Sequence, residues 1–272
     1  MDKSKIQLMV WNILEGWHDK DALGKMVWNE DRFQACRQLI QERSPDILVL
    51  NEALWARPVD DYYIDYAKLL DFPYISAEVY DGHWGNCILS RFPIISQTPF
   101  SIYNRSGLSV TLDTPGSPTS IATYHPHPSR YPQNKAKDYA ALVEGKEGAG
   151  SIVCGDFNAI SPEDDIHLEK MVAAFAHFSK DPISAFARFT EGGQAVFPAL
   201  TDLGFTDAVP LSKRGYTIPT DLISQNKDSA MRIDHIWANN NILIEDGGVL
   251  HHSLADLGSD HYPTYLIFST NS

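Results

Sequence analysis

Long apolar runs are missing from this 272-residue chain. No stretch approaches the roughly 18–20 apolar residues that a membrane-spanning helix needs, so stable membrane insertion is not expected. The start, Met1-Asp2-Lys3-Ser4-Lys5, leads only into the short apolar run Ile6 to Val10. That pattern lacks the apolar core and small-residue cleavage site of a secretion signal. Cysteine is scarce as well. Cys36, Cys87 and Cys154 are odd in number and far apart, which excludes full intrachain pairing and leaves none a near partner for a zinc site. Buried thiols in a reducing cytoplasm are the expectation.

Positive charge is the third shortage. Lys and Arg number 22 against 35 Asp and Glu, a formal charge of −13. A protein that coats nucleic acid needs a basic stripe to displace counterions, and that class is disfavoured. An enzyme that meets phosphate through a metal ion escapes the objection, because the cation inverts the local field. Repeats, linkers and low-complexity tracts are also absent, so a single domain over 1–272 is expected.

Short β-branched runs are plentiful. Ile6–Ile13, Asp46–Leu50, Tyr74–Val79, Cys87–Ser90, Ile94–Phe100, Ser109–Leu112, Ser120–Tyr124 and Ser151–Cys154 read as strands, as do Tyr216–Ile218, Ile233–Trp237, Ile242–Leu250 and Tyr262–Phe268. Helical patterns fall at Glu30–Arg43, Asp60–Leu70, Gln133–Glu147 and Pro162–Phe178, and near Gln194–Leu203. Ser161-Pro162-Glu163-Asp164 has the form of a helix start. Helices interspersed with strands in hairpin order predict an α/β (α+β) protein with mixed or antiparallel sheets covered by helices.

Polar groups recur at the ends of these strands. Asn12 closes the first, Glu52 follows Ile47–Asn51, His125 follows Ile121–Tyr124, and Asp156 and Asn158 follow Ile152–Gly155. Asp234 opens the Ile233–Trp237 strand, and Asp260-His261 precedes the last one. A charge at the end of a buried strand is costly unless paired or metal-bound, and six such segments together argue for a shared site. Carboxylates, asparagines and histidines without a cysteine ligand favour a hard cation, Mg²⁺ or Mn²⁺, over zinc.

Trp11-Asn12-Ile13, Asn51-Glu52, Gly155-Asp156-Phe157-Asn158-Ala159, Arg232-Ile233-Asp234-His235-Ile236 and Ser259-Asp260-His261-Tyr262-Pro263 together resemble the ordered motifs of the endonuclease/exonuclease/phosphatase (DNase I-like) superfamily. Ser90-Arg91-Phe92-Pro93-Ile94 resembles its turn into a central strand. The resemblance implies a four-layer α/β/β/α sandwich with the motif loops gathered at one end. It further implies Glu52 as the main metal ligand, assisted by Asn12 and Asp260. Asp156 would activate the attacking water, Asn158 would bind the phosphate or the water, and Asp234 would orient His261. His125 matches the histidine that protonates the leaving oxygen in DNase I-like and sphingomyelinase-like members. Asn51 departs from the glutamine that many members carry there.

The activity so implied is Mg²⁺-dependent hydrolysis of a phosphate ester by a phosphodiesterase or nuclease. A phosphomonoesterase or a lipid head-group phosphodiesterase is the alternative, and a non-catalytic binding module the remote one. The expected partner is the phosphate ester itself, nucleic acid included, for a monomeric cytoplasmic protein. Trp11 and Trp237 are expected in the core, whereas Trp17, Trp55 and Trp84 either rim a cleft or pack inside. Arg130, Lys135, Lys137, Lys213 and Arg214 are read as loop charge with the option of meeting phosphate. His127 and the pair His251-His252 are read first as loop histidines, and His235 as structural.

Overall fold

The structure is a computed structural model that describes residues 5–55, 64–80, 84–102, 105–146, 149–176 and 179–270. Along the chain the strands are β1 (Ile6–Asn12), β2 (His18–Lys20), β3 (Met26–Trp28), β4 (Ile47–Leu54), β5 (Tyr74–Tyr80), β6 (Trp84–Ser90) and β7 (Ile94–Ile102). They continue as β8 (Arg105–Leu112), β9 (Thr119–Tyr124), β10 (Gly150–Asp156), β11 (Phe205–Asp207), β12 (Asp234–Asn239), β13 (Ile242–Val249) and β14 (Thr264–Thr270). The helical segments are α1 (Leu14–Trp17), α2 (Glu30–Arg43), α3 (Tyr66–Leu70), α4 (Pro132–Val143), α5 (Leu168–Phe175), α6 (Pro182–Asp202) and α7 (Ser253–Gly258).

Two six-stranded sheets form, in the orders β13-β14-β1-β4-β6-β5 and β11-β12-β10-β9-β8-β7. Each has one parallel pair at its centre, β1 with β4 and β9 with β10. The crossovers carry α2 and α4, and the other pairings within the two sheets are antiparallel. Burial on both faces explains the unbroken apolar runs in the central strands. Along β1, Ile6, Leu8 and Val10 face the second sheet, whose Leu108, Val110, Ile121, Ile152 and Ile236 complete that seam. Met9 and Trp11 point the other way, onto Phe33, Cys36, Leu39 and Ile40 of α2. Outside the second sheet, Tyr124, Val153 and Trp237 pack on Tyr139 and Leu142 of α4 and on Val196, Phe197 and Leu200 of α6. Three apolar layers between four structural ones give the expected α/β/β/α sandwich.

The helix over Glu30–Arg43 begins where the sequence places it, because the Asn29 side chain accepts the Arg32 N–H as a cap. Other boundaries differ. Ser161-Pro162-Glu163-Asp164 is a turn, in which Ser161 C=O accepts from the Asp164 N–H. Two bonds of 2.9 and 3.0 Å from the Arg232 guanidinium to the Asp164 carboxylate pull that turn toward β12, and α5 starts only at Leu168. The predicted helix near Gln194 belongs to a longer one starting at Pro182 and capped by Asp181. Of the predicted Asp60–Leu70 helix, 60–63 lie outside the described residues, as do Glu147, Phe178, His83 and His177. The three cysteines are buried and free. Among the described residues no helix is long and apolar enough to cross a membrane.

Candidate active site

The topology brings the polar strand ends to one edge of the sandwich. Asn12 ends β1, Asp156 ends β10 and His125 follows β9. Because β12 and β14 run antiparallel to their neighbours, the start of β12 (Asp234) and the loop ahead of β14 (Asp260-His261) reach the same edge. Glu52 lies inside β4 rather than after it. The pairing of β4 with β6 shifts register between Leu50 and Ala53, and Glu52 takes φ 58°. This bulge re-aims the carboxylate at the cost of a left-handed, strained backbone.

Asp156 is the hub. Its Oδ2 lies 3.1 Å from Asn12 Nδ2, 3.3 Å from His125 Nε2 and 3.8 Å from His261 Nε2, and its Oδ1 accepts the Asn158 N–H at 2.8 Å. Burial alone would raise its pKa. The histidines and the amide outweigh burial and hold the carboxyl well below the usual range. Asn12 Nδ2 also donates to Glu52 Oε1 at 3.0 Å, and its Oδ1 accepts the Leu14 N–H. Glu52 Oε1 is 4.0 Å from His125 Nε2, and Oε2 accepts the Glu15 N–H.

His261 Nδ1 meets Asp234 Oδ2 at 2.7 Å, and Nε2 points toward Asp156 and toward Asp260 Oδ1 at 4.0 Å. Although burial opposes the charged ring, Asp234 and Asp260 raise the His261 pKa well above the ordinary histidine value. The Asp260 carboxyl is pushed up to about 6, by burial and then by Glu52 and Asp156. Asn158 adopts φ 46° and donates from Nδ2 to Pro126 C=O at 3.0 Å.

Among the described residues, two triads have potential ligand atoms within 4.8 Å of one another, Glu52/His125/Asp156 and Asp156/Asp234/His261. Oxygen-rich donors without thiolates, and an Asp260 carboxyl raised first by burial and then by the neighbouring Glu52 and Asp156 charges, fit a hard divalent cation at the Glu52 side of the cluster. The eight candidates Asn12, Glu52, His125, Asp156, Asn158, Asp234, Asp260 and His261 thus form one chain of contacts.

Asn51, read above only as a departure from the resemblance, is a structural hub. Fully buried, it accepts the Asp156 N–H on Oδ1 at 2.8 Å and donates to Asn86 Oδ1 at 2.7 Å and to Thr123 Oγ1 at 3.1 Å. A polar residue next to a candidate ligand inside an apolar run was its signal. Arg32 gave none. Its guanidinium binds the carbonyls of Ile13, Leu14, His18 and Gly258 and the Asp19 carboxylate, clamping the turn Leu14–Trp17, in which every residue has φ between 45° and 63°.

Of the loop tryptophans, Trp17 and Trp55 are buried core residues, as are Trp11 and Trp237. Trp84 is half-buried and lies against His125, ring centroids 5.4 Å apart, with the Arg105 guanidinium over the Trp84 ring, 4.3 Å from its centroid. Arg130 is bound by Asp138, Lys213 by Asp246, and Arg214 by Asp207 and Glu163. Lys135 is no loop charge but a fully buried residue of α4. His127 accepts the Ser129 N–H, His251 bonds Tyr216 C=O, His252 caps α7, and His235 bonds Ala159 C=O.

Residues 9–261 match the Endonuclease/Exonuclease/phosphatase family. The chain belongs to that family. Its fold is shared with an endonuclease/exonuclease/phosphatase from Beutenbergia cavernae, at TM-score 0.69 and 17% identity over 98% of this chain and 72% of that one. A humanized D. rerio TDP2 gives TM-score 0.64 and 18% identity over 98% and 100% of the two chains. ANGEL2, described as a 2′,3′-cyclic phosphatase, gives 0.64 and 16% over 97% and 95%. No curated protein matches the chain in sequence. Members of this family hydrolyse phosphoesters, and the acid–histidine cluster of this chain has groups that could hold a metal ion.

Proposed function

We propose that this protein is a divalent-metal-dependent phosphodiesterase or nuclease. The observation that carries the reading is the setting of Asp156, an ionised carboxylate held between two histidines and an asparagine amide. Glu52, with Asp260 and Asn12 beside it, would hold Mg²⁺ or Mn²⁺, which when bound supplies positive charge at a phosphate oxygen. Asp156 orients the attacking water and takes one of its protons as the new P–O bond forms. His261, kept cationic by Asp234, offsets charge developing on the phosphoryl group, and Asn158 holds a phosphate oxygen. His125 gives its proton to the departing oxygen as the old P–O bond breaks. The 3.3 Å contact between Asp156 and His125 then lets the proton on the carboxylate return to the ring, so the site resets without an external base.

A short or small ester is favoured over a long nucleic-acid duplex, because the chain carries 35 Asp and Glu against 22 Lys and Arg, and because Arg130, Lys213 and Arg214, which could meet a phosphate backbone, are each engaged by carboxylates. A single-strand DNA product accompanies TDP2 in one related structure, and a cyclic phosphate is named for ANGEL2. Both suit a short substrate. The test is hydrolysis of bis(p-nitrophenyl) phosphate with Mg²⁺ or Mn²⁺, alongside a panel of single- and double-stranded DNA, RNA, lipid head-group and sugar phosphates. Asp156→Ala is expected to abolish turnover, and Glu52→Gln to abolish cation binding by calorimetry. Activity that survives chelation, or that survives Asp156→Ala, overturns the mechanism.

A further inference from the structure

Lys135 sits where a lysine is expensive. Its side chain is fully buried, and an ammonium removed from water needs close partners. Nζ donates to the backbone C=O of Asn158 at 2.7 Å. The ionisable groups facing it are Asp156 from β10 and His127 from the loop ahead of α4, each felt at a distance. From α6 the facing residue is Gly192, where a Cβ would stand 3.5 Å from Nζ and 3.6 Å from Asn158 O. At Gly193 a Cβ would lie 1.8 Å from Ile160 O. Gly193 therefore lets α6 close over the loop the lysine grips, while a Cβ at Gly192 would sit at ordinary contact distance from Nζ.

The gripped carbonyl belongs to a strained turn. Gly155 has φ 136° and Asn158 φ 46°, and within this turn Asn158 N–H reaches Asp156 Oδ1 while Asn158 Nδ2 reaches Pro126 C=O. If the carbonyl were released, Asn158 could relax to the right-handed region that non-glycine residues prefer. That rotation would disrupt the hydrogen bond from the Asn158 N–H to Asp156 Oδ1 and swing the Asn158 side chain off Pro126.

We propose that Lys135 is a positioning residue, whose ammonium fastens the Asn158 carbonyl and so holds Asp156 and Asn158 in their working orientation from behind. The inference rests on the reading of Asp156 and Asn158 as phosphoester-hydrolysing residues. A neutral lysine keeps its reach but grips less strongly, so the turn should loosen as the amine deprotonates. Burial brings that event down to about pH 8.

The test pairs two readouts on the full chain. In metal-free protein, the ¹³C shift of the Asn158 backbone carbonyl is followed from pH 6 to 10 by NMR. A transition near pH 8 is expected in the native chain and none in Lys135→Met, with Lys135→Arg holding the low-pH shift throughout. Hydrolysis of bis(p-nitrophenyl) phosphate should lose on the order of 10²-fold in kcat with little change in KM on Lys135→Met. The variant's profile should also lack the native decline above pH 8, and calorimetric Mn²⁺ affinity should be unchanged. A carbonyl that does not titrate in the native chain overturns the proposal, even if Lys135→Met fails to fold. So does a Lys135→Met enzyme within twofold of native kcat. Absence of phosphoesterase activity in the native chain would sink the functional reading alone, since the carbonyl titration still decides Lys135.

Discussion

Replacing Asn51 by alanine removes a side chain that catalysis does not use but that both sheets depend on. Asn51 is fully buried on β4, and its amide makes three hydrogen bonds of 2.7–3.1 Å to Asp156 N–H, Asn86 and Thr123. In Asn51→Ala the Asp156 N–H and Asn86 Oδ1 lose these partners inside the protein, while the Thr123 hydroxyl is free to turn. Each orphaned buried group costs about 1–3 kcal/mol, and the small cavity adds to that. A loss of about 3–5 kcal/mol results, a large part of the roughly 5–15 kcal/mol of a typical domain. Urea unfolding followed by circular dichroism, at fixed metal concentration, measures the change as a shift in midpoint at constant slope. Hydrolysis should fall with it, since the amide that Asn51 holds belongs to Asp156. A midpoint shift equivalent to less than about 1 kcal/mol would refute the account of Asn51 as a satisfied inter-sheet network.

Three other outcomes are expected. Asp234→Asn removes the charge that keeps His261 cationic, and kcat/KM should drop by about 10²–10⁴-fold, with the His261 ring titrating closer to its ordinary value by NMR. Arg32→Met removes the donor shared by the carbonyls of Ile13, Leu14, His18 and Gly258, and at about 1–3 kcal/mol for each buried acceptor left unsatisfied should lower stability by about 3–5 kcal/mol in urea unfolding; Arg32→Lys should not restore it, lacking the planar fork. His235, buried and bonded to Ala159 C=O, is held well below the ordinary histidine pKa by burial and then by Arg232. The unfolded chain therefore takes up a proton near pH 6.5 that the folded chain refuses, so this contribution is intact above that pH and is lost as pH falls, by up to about 1.4 kcal/mol per unit. His235→Gln should flatten the stability curve between pH 6.5 and 5 by that slope, measured by urea titration at each pH.

What could be read from the sequence was whatever has a local cause. Asn29 caps α2, and the apolar runs of β1, β4, β9 and β10 are continuous because both faces are covered. The strand-end placement of Asn12, His125 and Asp156 followed from those runs. The remainder depended on distant partners. α6 was half hidden by Gly192, Gly193 and Pro198, poor helix formers that the packing against Ile160 requires or tolerates. Trp17 looked like a loop residue because its turn is left-handed, a shape that Arg32 imposes from a separate helix. Lys135 looked like solvated charge because its acceptor is a backbone carbonyl 23 positions away, which leaves no mark in residue identity.

The contacts that assemble this cluster straddle the seam between the two sheets. Asn12, Glu52 and His261 belong to strands or strand ends of one sheet, and Asp156, His125 and Asp234 to the other. The cluster is therefore a vernier on the alignment of two plates: a slip of one plate along the other separates Asn12 from Asp156 and His261 from Asp234 in the same movement. Neither half of the sandwich owns the chemistry, and the last segment of the chain, returning to lie beside the first strand, closes the circuit that the halves share. Turnover should consequently report the register of the sandwich more sensitively than any signal from its helices.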